Sequence, residues 1–238
     1  MGTAGSGADN SPPMAREVHI PSGKCLIHAD LGVPAGARGI VVFAHGSGSS
    51  RRSTRNRWVA SELHAGQLAT LLVDLLTSDE AARDEQTREL RFDIQLLAHR
   101  VIDAVHWVSR DREIRALPVG LFGASTGAAA ALFGAAREPG RVKAVVSRGG
   151  RPDMAESVLS LVEAPTLLIV GGNDPEVLAL NQRALSHLRC ERRLEIVPGA
   201  THLFEERGAL ERVAEVTRAW FVAHLAKDAV ANGAGFGW

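Results

Sequence analysis

The amino-acid sequence predicts a single α/β domain built on a mostly parallel β-sheet with helices on both faces. Short apolar runs alternate with amphipathic stretches, the pattern of strands joined by crossover helices. From Ile40 onward these apolar runs are continuous rather than alternating, as expected for strands that are buried on both faces. The length of 238 residues suits one such domain.

Eight apolar runs are predicted to be strands. In chain order they are Glu17–Ile20, Leu26–Leu31, Ile40–Ala44, Ala69–Leu75, Val119–Phe122, Ala144–Ser147, Thr166–Val170 and Arg193–Val197. The first two are separated by Pro-Ser-Gly-Lys at residues 21–24, a turn signal, so we expect an antiparallel hairpin.

Four segments are predicted to be helices: Phe92–Val108, Ser125–Arg137, Glu176–Leu188 and Leu210–Leu225. The first carries apolar residues at spacings of three and four, which makes one face of the helix apolar. The segment Asp79–Glu89 is strongly charged and has no periodic apolar face. We expect it to be a solvated loop or an exposed helical turn, without a binding role.

Composition narrows the classes of partner. Lys plus Arg and Asp plus Glu each number 27, so nothing indicates a nucleic-acid or membrane-surface partner. Residues 1–15 lack the apolar run of a secretion signal and are interpreted as a disordered leader, and residues 227–238 as a loose tail of the domain 16–226. Cys25 and Cys190 are expected to be reduced thiols, with a disulfide or a catalytic role as alternatives. A cytoplasmic protein is the simplest interpretation, and the oligomeric state is left open.

The strongest motif is Gly-Ala-Ser-Thr-Gly at residues 123–127, between a predicted strand and a predicted helix. A Gly-x-Ser-x-Gly motif in this setting forms a tight turn that exposes the serine hydroxyl at the end of the sheet. Ser125 is therefore the candidate nucleophile. The alternative is a Gly-rich turn that only lets the helix pack closely on the strand.

A serine nucleophile needs a base, and His202 is the best placed of the nine histidines. It lies in the loop after the last predicted strand and before the final helix, from which it can reach across the edge of the sheet. The alternative is that His202 only caps the final helix.

The acid of such a site is expected between Ser125 and His202 in the chain. Asp174 follows the strand Thr166–Val170 and two glycines, and is the candidate that orients His202. It could instead cap the helix that begins near Glu176. Asp153 is the second choice of acid.

Acyl transfer also needs donors for the oxyanion. The amide of Thr126 is expected to supply one, and the amide of Ser47 the other, with Gly48 as the alternative. His45 opens this glycine-rich loop and is expected to bond loop backbone rather than to take part in catalysis.

These residues together resemble the α/β-hydrolase superfamily, closest to its dienelactone-hydrolase-like branch, over about Arg16 to Leu225. The resemblance implies an eight-stranded, mostly parallel sheet with an antiparallel second strand, and the triad Ser125, Asp174 and His202. Strict dienelactone hydrolases use a cysteine as nucleophile, so Ser125 favours a more general esterase.

Two groups of arginines follow predicted strands. Arg148 and Arg151 flank two glycines. The other group, Arg51, Arg52, Arg55 and Arg57, follows the glycine-rich loop His45–Ser50, called the oxyanion loop below. Arg148 and Arg151 are the first candidates for binding a carboxylate or phosphate of the substrate, and the other group is the second. The alternative is solvated surface, or pairing with acids such as Asp74 and Asp153. No long insertion follows the strand Ala144–Ser147, so we expect no substantial lid and an open pocket.

The sequence therefore predicts a serine hydrolase that cleaves carboxylic esters, lactones or thioesters of small substrates through an acyl-enzyme. It implies neither a metal nor an organic cofactor. The main alternative is a non-catalytic ligand-binding or accessory protein on the same fold, and a weaker one is phosphate-ester hydrolysis.

Overall fold

A computed structural model describes residues 15–225. The leader and tail predicted from the sequence lie outside the described residues, apart from Ala15. All eight predicted strands are present, with bounds shifted by at most two residues. They are β1 Arg16–Ser22, β2 Cys25–Gly32, β3 Gly39–Ala44, β4 Leu68–Val73, β5 Val119–Ala124, β6 Val142–Arg148, β7 Thr166–Gly171 and β8 Arg192–Val197.

The strands form one sheet in the order β1-β2-β4-β3-β5-β6-β7-β8. β2 pairs antiparallel with both of its neighbours, and all other pairs are parallel. This confirms the predicted fold class. Because the parallel strands share one direction, the loops after β3, β5, β6, β7 and β8 meet at one edge of the sheet, where ligands bind in such folds.

Residues 15–225 contain six α-helices: α1 Thr54–Ala65, α2 Ser78–Thr87, α3 Ile94–Val108, α4 Thr126–Arg137, α5 Pro175–His187 and α6 Ala209–Leu225. One apolar layer joins the sheet to α3 and α4, and the other joins it to α1 and α6. The apolar stripe of α3 is buried in the first layer, which confirms its orientation. A 3-10 helix, Pro152–Leu161, occupies the connection between β6 and β7 and packs against α4 and α5.

The charged segment Asp79–Glu89 is mostly helical, which corrects the expectation of a loop or a single exposed turn. Thr77 caps α2 by accepting a hydrogen bond from the Glu80 amide, and the Glu80 carboxylate accepts one from the Thr77 amide. This reciprocal capping box starts the helix without help from an apolar face. α2 also lines the cavity described below, and whether it binds a ligand there stays a prediction to be tested.

Two smaller expectations can be checked within residues 15–225. Cys25 and Cys190 are free thiols, which confirms the prediction for the cysteines. In this part of the chain, no helix has both the length and the apolar character needed to cross a membrane.

Candidate active site

Ser125 lies in the turn between β5 and α4 with a positive φ of 51°. A non-glycine residue in this region of backbone space is strained, and such strain is found mainly at functional sites. The two glycines of the motif make the turn possible. A Cβ at Gly123 would collide with the backbone of Ala128, and one at Gly127 with the carbonyl oxygen of His45. Close packing explains the glycines, but it does not require a strained serine between them.

The backbone of Ser125 is held by the turn that follows β6. Its amide donates to the carbonyl of Arg148 at 3.2 Å, and its carbonyl accepts from the amide of Arg151 at 3.1 Å. On the other side, a Cβ at Gly46 would lie 3.0 Å from the Cβ of Ser125. The turn that carries Ser125 therefore lies between the loop after β3 and the turn after β6. Glycine at position 46 permits the close approach of the loop to Ser125.

The side chains of Asp174 and His202 meet at the same edge. His202 Nδ1–H donates to Asp174 Oδ2 at 2.7 Å. Asp174 is the N-cap residue of α5, yet its carboxylate makes no capping hydrogen bond among the described residues. Asp153, the second choice of acid, instead pairs with Arg151 at 2.9 and 2.7 Å. The geometry favours Asp174 as the residue that orients His202.

The imidazole of His202 packs against Gly149, in the turn that also bonds Ser125. A Cβ at Gly149 would lie 3.4 Å from His202 Cε1, and Gly149 has a φ of 51°. Because α6 begins only at Ala209, His202 does not cap that helix. Within residues 15–225 the Ser125 hydroxyl makes no hydrogen bond. Catalytic hydrogen bonds in ligand-free sites are often long and tighten when substrate binds.

The loop that carries His202 is braced by groups on both sides of it. Phe204 adopts a positive φ of 56° and is buried in the core. The Glu206 carboxylate accepts from the amide of Thr201 at 3.0 Å and from its hydroxyl at 2.6 Å, and these hydrogen bonds lower the pKa of Glu206. Glu205 pairs with Arg55 of α1 at 2.8 Å. These contacts restrict the loop and thereby the position of the imidazole.

The two residues that carry the candidate oxyanion amides contact each other through their side chains. Thr126 is the first residue of α4, so its amide has no partner within the helix. The Thr126 hydroxyl donates to Ser47 Oγ at 3.5 Å. Within the described part of the chain, the amides of Ser47 and Thr126 donate to no other group, and both remain available to an oxyanion. The positive end of the α4 dipole acts at the same place.

His45 has the structural role predicted for it. Its Nδ1–H donates to the carbonyl of Gly46 at 2.9 Å, and its Nε2 accepts from the amide of Leu75 at 3.0 Å. These two bonds fix one neutral tautomer. Burial lowers the pKa of His45, so the ring is neutral at pH 7.

A cavity of about 680 Å³ opens beside the oxyanion loop. Ser47 and Thr126 line it, and so do residues of α2. The remaining lining residues are His28, His45, Gly46, Gly48, Ser49, Ser50, Arg52, Ser53, Asp74, Leu76, Thr77, Ser78, Ala81, Asp84, Glu85, Arg88, Arg91 and Leu97. The cavity thus adjoins the Ser125 turn at Thr126, whereas Ser125 and His202 themselves do not line it.

Comparison with known proteins assigns the sequence and the fold to a family. The sequence model of the dienelactone hydrolase family matches residues 27–225. This chain belongs to the dienelactone hydrolase family. The crystal structure of a dienelactone hydrolase from Anabaena variabilis is 53% identical, covers 90% of this chain and 99% of its own, and superimposes with a TM-score of 0.89.

Two further relatives add less about activity. A Mycobacterium tuberculosis protein provisionally named a phosphoribosyl transferase is 54% identical over 215 residues, or 90% of this chain, but only 48% of that protein is covered. The chain thus spans about half the length of the curated relatives it matches. Est1E from Butyrivibrio proteoclasticus has a TM-score of 0.74 at 15% identity, over 87% of this chain and 98% of its own, and supports the fold alone.

The two arginines predicted to bind substrate have different surroundings in this member of the dienelactone hydrolase family. Arg151 is engaged by Asp153 and also lies near Glu176, which together raise its pKa. Arg148 is 9% exposed, and its Nε and Nη1 have no hydrogen-bond partner among the described residues. Burial, with a smaller contribution from Arg55, lowers the pKa of Arg148 to about 10, so it remains a cation at neutral pH. Neither arginine lines the cavity, and their contact with substrate stays a prediction.

The structure brings other arginines to the cavity: Arg52, Arg88 and Arg91. Arg91 is fixed by Asp84, which accepts from its Nε at 2.6 Å and from its amide at 3.0 Å. A Cβ at Gly48 would lie 3.5 Å from Arg91 Nη1, so this guanidinium borders the oxyanion loop. Arg52 belongs to a group that the sequence analysis singled out, whereas Arg88 lies in the charged segment Asp79–Glu89, a pattern typical of solvated surface, and Arg91 follows that segment.

Proposed function

We propose that this chain is a serine hydrolase that cleaves carboxylic esters, lactones or thioesters of small substrates. The observation that carries the proposal is the 2.7 Å hydrogen bond from His202 to Asp174 on loops adjoining the Ser125 turn. Asp174 sits where its carboxylate could cap α5, but it binds the imidazole instead. Packing of the fold does not call for that choice, whereas a base with a fixed tautomer does.

In the proposed reaction Ser125 Oγ attacks the carbonyl carbon while His202 Nε2 accepts the hydroxyl proton. Asp174 keeps the proton of the neutral ring on Nδ1, which leaves Nε2 free as the base, and stabilises the imidazolium that forms. The amides of Ser47 and Thr126 bind the oxyanion. His202 then returns the proton to the leaving oxygen or sulfur, and water hydrolyses the acyl-enzyme by the same steps.

The cavity supports a preference for small, polar substrates. Its volume of about 680 Å³ falls in the usual range for small-molecule sites, and serine, threonine and charged side chains form much of its lining. The connection after β6 is a short 3-10 helix packed on α4 and α5. An open pocket with polar walls suits short acyl groups better than long lipid chains.

The name of the M. tuberculosis relative does not argue against hydrolysis. This chain covers 48% of that protein, so the name describes a polypeptide about twice as long. A transfer activity could belong to the part of that protein that has no counterpart here. Membership of the dienelactone hydrolase family supports a hydrolase for the matched residues 27–225.

The test is hydrolysis of short-chain p-nitrophenyl esters by the purified protein and by Ser125→Ala, with labelling by a fluorophosphonate probe in parallel. We expect turnover and covalent labelling for the wild-type protein, and a loss of both in the variant. Removal of a serine nucleophile lowers kcat by roughly a million-fold in a well-studied serine protease.

Each result bears on one of two functions. A labelled wild-type protein with no activity on simple esters would retain the serine chemistry and point to a more selective substrate. A wild-type protein that neither turns over esters nor reacts with the probe would contradict the proposal and favour a non-catalytic binding protein. Matching circular dichroism spectra establish that the variant is folded.

A further inference from the structure

The outer face of the β1–β2 hairpin gathers metal-ligating side chains away from Ser125. His19 lies directly opposite His28, and Glu17 directly opposite Asp30. Side chains two residues apart in a strand share a face, and directly paired residues have Cβ atoms about 5 Å apart. The pattern Glu-x-His in β1 and His-x-Asp in β2 therefore places two imidazoles and two carboxylates on one solvent-facing surface.

We propose that Glu17, His19 and His28 form a binding site for a divalent transition-metal ion of the zinc type. Glu17 Oε1 lies 2.7 Å from His28 Nδ1 and 3.9 Å from His19 Nε2. The three ligand atoms all lie within 4.8 Å of one another. Tetrahedral zinc with bonds of about 2.1 Å holds its ligand atoms about 3.4 Å apart. Side-chain rotations that move these ligand atoms by about 1 Å would therefore complete the site.

The exposure of these side chains leaves room for the remaining ligand. The side chains of Glu17 and His19 are 48% and 52% exposed, and that of His28 is 37% exposed. Water can therefore reach the fourth position of a tetrahedral ion. Two imidazoles favour zinc, nickel or copper over magnesium, which prefers oxygen ligands.

The local charge also favours a cation. Arg51 Nη2 approaches Glu17 at 3.4 Å, but the same guanidinium already pairs with Asp74 at 3.0 Å and Asp30 at 2.8 Å. Three carboxylates around one guanidinium leave a net charge of about −2 with neutral histidines. Arg52 lines a small pocket together with Glu17 and His28. Including its charge still leaves an excess of negative charge around the three proposed ligands.

The site is separate from the proposed serine chemistry. It lies on the edge strand β1 and its neighbour β2, whereas Ser125 follows β5 near the middle of the sheet. An ion bound there would join the two strands of the hairpin through side chains. His28 also lines the large cavity, so the ion would sit next to the cavity wall.

The alternative is that Glu17 and His28 form only an ion pair. His187 and Glu156 provide a matched control, because they lie 3.6 Å apart and are exposed, but are not part of a metal-ligating group of three among the described residues. If Glu17 and His28 form only an ion pair, zinc should bind equally weakly to that pair and to Glu156 and His187. A three-ligand site predicts a response at the hairpin alone.

The experiment is isothermal titration of the full, tag-free and chelator-treated chain with zinc chloride. We expect one ion per chain for the wild-type protein, and at least about tenfold weaker binding for His19→Ala and Glu17→Gln, since each removes one of three ligands. His187→Ala, Ser125→Ala and wild-type protein titrated with magnesium chloride are the controls. The first two should bind zinc like the wild type, and magnesium should not bind.

Thermal unfolding gives an independent reading, because an ion that binds only the folded chain raises Tm. We expect zinc to raise Tm of the wild-type protein and of Ser125→Ala, but not of His19→Ala. Zinc binding unaffected by His19→Ala would overturn the proposal, as would equal weakening by His187→Ala. Binding lost in His202→Ala but kept in His19→Ala would assign the ion to the proposed triad instead. Ester turnover is not needed for any of these outcomes.

Discussion

The two sides of Ser125 are built in different ways. On one side, Asp174 and His202 are joined by a 2.7 Å hydrogen bond, and the histidine loop is braced by Glu206. On the other side, the cavity is bounded by the oxyanion loop and by α2, and it leaves about 680 Å³ open. In the proposed reaction these two sides would have different tasks. The first would fix the proton transfers, and the second would select the molecules that reach Ser125.

The largest effect is expected on the first side, from Asp174→Asn. An asparagine keeps the shape of the carboxylate but cannot hold the same tautomer of His202 or stabilise the imidazolium. The corresponding change in a serine-protease triad lowers kcat by about ten-thousand-fold. We expect a loss of comparable size in kcat for p-nitrophenyl acetate, measured by steady-state kinetics.

Asp153→Asn is the matched control, since Asp153 pairs with Arg151 and not with His202. We expect its kcat to remain within about threefold of the wild-type value, because a partly exposed ion pair contributes little. Near-normal activity of Asp174→Asn together with a large loss in Asp153→Asn would reverse the assignment of the acid.

The first side could be predicted from the sequence because each of its residues follows a strand. The continuous apolar runs predict buried parallel strands, and parallel strands bring their carboxyl ends to one edge. Ser125 and Asp174 come after two such runs, and His202 follows the more polar and more exposed strand β8. Their placement at one edge of the sheet therefore follows from the topology. What the sequence does not contain is the choice that Asp174 makes between capping α5 and binding His202, since both use the same carboxylate.

The second side could not be predicted in the same way. α2 lacks an apolar stripe, and its helical structure depends on the capping box of Thr77 and Glu80. The spacing of Thr77 and Glu80 was the signal in the sequence that could have predicted this helix. Its use as a cavity wall depends on where the fold places α2 relative to the oxyanion loop, which no local pattern encodes. Likewise, Arg148 is the last residue of β6, and its burial became apparent only in the structure.

A substitution in the cavity wall tests the second side, with a smaller effect. Ala81 of α2 lines the cavity, and its neighbour Ala82 does not. Ala81→Phe is expected to raise KM for bulky acyl esters by about tenfold, because a pocket discriminates by roughly 1–3 kcal/mol for small changes in fit. The kcat for the acetyl ester should change little, since the triad is untouched.

Ala82→Phe carries the same cost in helix propensity, at most about 0.7 kcal/mol, and serves as the control. It should leave both kinetic constants near the wild-type values for acetyl and bulky esters alike. If the two variants raised KM equally, or if Ala81→Phe lowered kcat for every ester, α2 would not be the surface that selects the acyl group.

The smallest effect concerns His45, which joins the oxyanion loop to Leu75 by hydrogen bonds. Its pKa is lowered in the folded state by burial, from 6.5. As pH falls below about 6.5 the unfolded chain therefore takes up a proton that the folded chain does not, so acid reduces the free energy of unfolding. One such group contributes a slope of at most about 1.4 kcal/mol per pH unit.

Urea unfolding at a series of pH values between 7 and 5 measures this slope for the wild-type protein and for His45→Gln. The glutamine can still accept from the Leu75 amide but does not titrate, so we expect its stability to fall less steeply over this range. His64, whose pKa is also lowered by burial, keeps part of the slope in both proteins. Equal slopes would mean that His45 is not the buried neutral group that holds the oxyanion loop, and the fixed tautomer assigned to it would have to be abandoned.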